Sequence, residues 1–114
     1  MPEKIRKLDQ QRHELKALRY LLDNHPESMQ KRDELPSRED FQTAESQSIF
    51  DVLVNATSQA DAVSAIEDLD LEETEVESFL RLGGQFYHSY PHMVKERGQA
   101  FREGKIEIID PSEE

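Results

Sequence analysis

The chain has 114 residues, 34% of them charged, 35% hydrophobic and none of them cysteine, and a formal net charge of −11. That length suits one domain with a single modest core, and the missing thiols exclude disulfides, cysteine nucleophiles and thiolate metal sites. No apolar run approaches the ~20 residues of a membrane span, and the opening Met-Pro-Glu-Lys-Ile-Arg-Lys lacks the apolar stretch of a secretory signal, so a cytoplasmic protein without a membrane partner is expected.

Residues 3–24 predict a helix, because Ile5, Leu8, Leu15, Leu18 and Leu22 recur at helical spacing with no glycine or proline among them. Leu8, Leu15 and Leu22 fall one heptad apart and could form a dimer seam. The alternate seam positions, Ile5, Arg12 and Arg19, carry two arginines, which favours an amphipathic helix packed on its own domain. Asn24-His25-Pro26 stops it, since the residue before proline is pushed out of helical dihedrals. The polar stretch that follows reads as a linker over residues 25–37.

Ser37 with Asp40 forms a capping pattern for a second helix running to about Ala56. Its block Ile49, Phe50, Val52, Leu53 and Val54 points in too many directions for a surface stripe, so this is the expected centre of the core. Ser58 with Asp61 opens a third helix, with Ala62, Val63, Ala65, Ile66 and Leu69 as its inner stripe. Asp70 with Glu73 opens a fourth. There Val76, Phe79, Leu80, Gly83, Phe86, Tyr87 and Tyr90 keep helical spacing, which predicts continuation through Gly83-Gly84 although each glycine costs about 1 kcal/mol. Pro91 suits the first turn of a fifth helix, 91–103, with Val94 and Phe101 facing inward and Gly104 ending it. Lys105 to Ile109 is β-branched and reads as a lone strand, whose backbone groups must pair with a second copy or a partner's sheet edge, or stay frayed.

The expected architecture is therefore all-α: a long N-terminal helix over 1–24, the linker 25–37, a compact helical core domain 38–104 of about four short helices, and a strand-like or disordered tail over 105–114.

The charge is concentrated. Residues 39–84 hold twelve acidic side chains and one basic one, Arg81, which matches the net charge of the whole chain, while the first 38 residues are slightly basic. Carboxylates in the first turn of a helix complement its dipole, and Glu77 can pair with Arg81, yet neither effect explains the near absence of cations across the segment. A local negative field repels nucleic acid and anionic membranes and attracts basic surfaces.

The expected function is that of a non-enzymatic interaction module. It would bind, and inhibit or regulate, a basic protein through Glu67, Asp68, Glu72, Glu73, Glu75 and Glu77, with Tyr87 and Tyr90 supplying buried contact area. The alternative is a structural homo-oligomer, a homodimer joined by Leu8, Leu15, Leu22, Ile106 and Ile108. The cations Lys4, Arg6, Lys7, Arg12, Lys16 and Arg19 offer a third arrangement, with the first helix covering the acidic face in cis.

Other chemistries find little support. A helix-turn-helix reading of the third and fourth helices would lead with Glu-Glu-Thr-Glu, which meets phosphates with like charge, so no direct nucleic acid binding is expected. His88 and His92 are four apart but straddle Pro91 and lack a third ligand, so no metal is expected. Gly83-Gly84 lacks the Lys-Ser/Thr of a phosphate loop, and no nucleophile-elbow or zinc-protease motif occurs. Neither a catalytic residue nor a cofactor is assigned.

Overall fold

A computed structural model describes residues 2–30, 35–82 and 87–109, except the side chain of Glu75. In chain order it contains strand β1 (Glu3–Arg6), helix α1 (Lys7–Asp23), short 3₁₀ turns at Glu27–Met29 and Arg38–Asp40, helices α2 (Ala44–Asn55), α3 (Gln59–Glu67), α4 (Glu73–Arg81) and α5 (Tyr90–Arg102), and strand β2 (Ile106–Ile109). The protein is mostly helical, with a two-stranded parallel sheet joining its ends. No described helix is long and apolar enough to cross a membrane.

Helix α1 is the central element and packs against all four other helices. Its inner face, Ala17, Leu18, Leu21 and Leu22, is buried together with Phe41, Ile49, Phe50, Leu53, Ala62, Ile66, Phe79 and Val94. Burying each large apolar side chain of this kind contributes roughly 1.5–3 kcal/mol, which is what holds such short helices together. Leu22 thus belongs to the core, Leu15 packs at its edge, and Leu8 is 54% exposed. The heptad leucines are divided between solvent and interior. The buried face is broader than a heptad seam, since it also takes in Gln10, His13 and Glu14.

Three sequence expectations need correction. The first helix begins at Lys7, and residues 3–6 form a strand whose register pairs Glu3 with Ile106 and Arg6 with Ile109. The strand at 106–109 is therefore not alone: it pairs in cis with the start of the same chain. The reason is local at both ends. A helix start leaves backbone donors unsatisfied, whereas here Glu3 N donates to the Lys105 carbonyl at 2.8 Å. Gly104, at φ +75°, turns the chain out of α5 so that Lys105 N bonds the Ala100 carbonyl at 2.9 Å, the left-handed exit that delivers Ile106 to β1. Ile106 and Ile108 are half-buried in this sheet.

The second correction concerns residues 37–56. Asp40 Oδ2 does accept from Ser37 N at 2.8 Å, but the pair closes a single turn, after which Phe41 and Thr43 are extended and α2 starts afresh at Ala44. Long-range forces outweigh the local signal. Phe41 is buried against Phe50, ring centroids 5.0 Å apart, and Gln42 N donates to the Glu14 carboxylate at 2.6 Å. Along α2, Ile49, Phe50 and Leu53 are buried as expected, while Val54 is 49% exposed.

The third correction is that α4 does not run through the glycine pair. It ends at Arg81, with Leu82 extended, and residues 83–86 lie outside the described set. The cap of α3 matches expectation, Ser58 Oγ accepting from Asp61 N at 3.1 Å. Helix α5 has Pro91 in its first turn and Val94 buried, with Phe101 half-buried. At the other end of the first helix, His25 is buried with Nε2 2.9 Å from the Leu53 carbonyl, fastening the exit from α1 onto α2.

Candidate functional site

One group of exposed acidic residues occupies the end of α3, the connection after it, and α4. Leu69, Leu71, Val76 and Leu80 are partly buried against the core and Phe79 is fully buried. These apolar positions alternate with the acids, so anchoring the first set turns Glu67, Asp68, Asp70, Glu72, Glu73 and Glu77 outward, and all six are exposed. Among the described residues Glu67, Asp68, Asp70, Glu72 and Glu73 form no ion pair. Glu77 lies 4.0 Å from Arg81 Nη2, with both side chains more than half exposed, a geometry that contributes little. The side chain of Glu75 lies outside the described set.

Three of the other five acids of the middle third are engaged in the fold. Asp40 is 2% exposed and accepts from Arg102 Nη1 at 2.7 Å; Asp51 pairs with Arg38 at 3.0 Å; Asp61 accepts from Thr57 N at 3.1 Å. Among the described residues no cation of α1 forms an ion pair with the acidic segment. Arg19 pairs with Asp23 of its own helix at 2.8 Å and donates to the Leu80 carbonyl of α4 at 3.1 Å.

The dipoles of the two helices treat these acids differently. Glu73 in the first turn of α4 sits at a positive end, a stabilising position. Glu67 and Asp68 sit at the negative end of α3, whose last turn carries no basic residue. Their charge is there at a small cost to the helix.

Tyr87 and Tyr90 gather elsewhere, on the side where α1 faces α5. Tyr90 lies over the His13 ring with centroids 5.1 Å apart, Tyr87 meets Tyr90 edge-on at 5.6 Å, and Lys16 Nζ sits 5.8 and 5.5 Å from the two ring centroids. This is a cation–aromatic cluster rather than an extension of the acidic segment. His88 is exposed, and His92 Nε2 lies 2.8 Å from Glu96 Oε1. No three His, Asp or Glu side chains among the described residues gather in a metal-holding group.

Two buried polar centres carry no signal in the sequence. Glu14 is fully buried, and its carboxylate accepts from Gln10 Nε2 at 2.9 Å, Gln42 N at 2.6 Å, Thr43 N at 3.3 Å and Thr43 Oγ1 at 2.8 Å. Gln10 Oε1 in turn accepts from Arg97 at 3.1 Å. His13 is 6% exposed, and burial, followed by the fields of Arg97 and Lys16, lowers its pKa from 6.5 to about 4, so the ring is neutral. Glu14 ties α1 to the start of α2. Comparison with family models, curated proteins and solved structures gives no match for this chain.

Proposed function

We propose that this chain is a non-enzymatic, cytoplasmic interaction module that binds and regulates a basic protein through the acidic segment from Glu67 to Glu77. The observation that carries the reading is the placement of Glu67 and Asp68. Acids at a helix start can be explained by helix stability, but acids at the carboxyl end of α3 work against their helix, so their charge serves something other than the fold. Asp70, Glu72 and Glu73, exposed and likewise without ion-pair partners among the described residues, add to the same field. Such a field steers a cationic partner and speeds its association more than it adds final affinity.

The docking surface rests on the carboxylates, because Tyr87 and Tyr90 are engaged with Lys16 and His13. The test is capture by the native chain followed by identification of the retained protein, repeated with Glu67→Lys, Asp68→Lys and Glu73→Lys combined. A basic protein retained by the native chain and lost by the variant, with both equally helical by circular dichroism, is the expected result. Equal retention by both would remove the acidic segment from the function.

A further inference from the structure

Strand β1 leads directly into α1, and one face of that helix, Asp9, Arg12, His13 and Lys16, looks across to Tyr90 and Arg97 of α5. Together with β1 and Ile109 they border an open cleft of about 620 Å³. None of its lining residues belongs to α3 or α4. The cleft reverses the sign of the chain: five cations line it, Lys4, Arg6, Arg12, Lys16 and Arg97, against Glu3 and Asp9, in a protein whose net charge is −11.

Three of these cations have no carboxylate partner among the described residues. Arg12 forms no ion pair, Lys16 rests over the two tyrosine rings, and Arg97 donates to the neutral amide of Gln10. Lys16 and Arg97 line the cleft together with His13, and their fields add to the burial that keeps its ring neutral. The His13 ring is more than nine-tenths buried, lines the cleft, and its Nε2 has no hydrogen-bond partner. Three cations without a carboxylate partner in one cleft are unfavourable unless an anion completes the group, and an anion there would also favour a proton on the unpartnered Nε2.

From this arrangement we infer that the cleft binds the phosphate group of a small phosphorylated ligand, with Arg12, Lys16 and Arg97 as its cationic partners. Two guanidinium forks and an ammonium match the oxygens and double charge of a phosphate better than a monocarboxylate. The small size follows from the rest of the molecule. A polyanion such as RNA would extend beyond the cleft into the field of an acidic protein, whereas a ligand of cleft size stays within it.

Inorganic phosphate, pyrophosphate and AMP, titrated separately at matched ionic strength into the full chain, test the site by NMR. Saturable shifts centred on Arg12, His13, Tyr90 and Arg97 are expected, with a rise in the His13 pKa because the bound dianion offsets the fields of Lys16 and Arg97. Affinity should fall at least about tenfold in Arg12→Gln combined with Lys16→Gln, two substitutions outside the buried network of Glu14. Tighter binding of AMP identifies a phosphate monoester as the source, and tighter binding of the inorganic ions identifies free phosphate or pyrophosphate. No saturable shift with any of the three up to about 10 mM, or binding unchanged in the double variant, overturns the assignment.

Discussion

Gly98 lies so close to Asp40 that a methyl group on it would fall 2.7 Å from the Asp40 Cα and collide with Oδ1 as well. The missing side chain lets α5 settle on the 38–40 turn, and one helical turn later Arg102 reaches the Asp40 carboxylate at 2.7 Å. The same contact helps fix the helix that carries Tyr90 and Arg97 against α1. Gly98→Ala would gain about 1 kcal/mol of helix propensity. The obstructing atom is backbone and cannot swing aside, so overpacking of about 1–3 kcal/mol should dominate. Urea unfolding should place the midpoint of Gly98→Ala below that of the native chain; an equal or higher midpoint would contradict the close approach.

Glu14 is the acceptor on which four donors converge, so Glu14→Gln changes one atom in shape and much in chemistry. An amide presents donors where Gln42 N, Thr43 or Gln10 also donates, leaving buried hydrogen-bonding groups unsatisfied at about 1–3 kcal/mol each. We expect a loss of stability in that range or above. Hydrogen exchange should locate it, with the amides of Gln42 and Thr43 losing protection before those of α4.

Acid should weaken the fold through His13. Its folded pKa of about 4 lies below the ordinary value of 6.5, so between those limits the unfolded chain binds a proton that the folded chain does not. Stability therefore rises with pH across this window, and acidification through it should cost up to roughly 3 kcal/mol from this group. Carboxylates titrate nearby, so the measurement is a difference. The drop in unfolding free energy from about pH 7 to about pH 4.5 should be smaller in His13→Phe than in the native chain. An identical drop would show that the ring does not resist protonation.

The acids at the end of α3 offer a stability test that runs opposite to function. Replacing Glu67 and Asp68 by lysine puts cations at the negative end of the helix dipole, and each should contribute about 0.3–1 kcal/mol at low salt. The double variant should melt at a higher temperature than the native chain, by an amount that shrinks as salt is added. A lower melting temperature would mean that these carboxylates have a stabilising role in the fold.

The capped helices were the most legible part of this protein. Ser58 with Asp61, Pro91 and Gly104 act within a few residues of themselves, and helices α3 and α5 lie within about a turn of their expected limits. Ser37 with Asp40 is an equally sound local pattern but closes only one turn, because Phe41 has a place in the core and Glu14, 28 residues earlier, takes up the Gln42 N–H. Apolar spacing predicts a helix through the Gly83-Gly84 pair, whereas α4 ends at Arg81 before reaching it.

Composition and spacing by themselves determined a mostly helical chain and the concentration of negative charge over residues 39–84, since helix caps, apolar periodicity and charge density are properties of neighbours along the backbone. Tertiary structure decided the rest. It divided the acids into buried anchors such as Asp40 and exposed ones such as Glu67, joined residues 3–6 to 106–109 as a parallel sheet, and drew Arg12, Lys16 and Arg97 around His13. Each of those outcomes depends on groups brought together from distant parts of the chain, where burial and field are set by partners that no local pattern names.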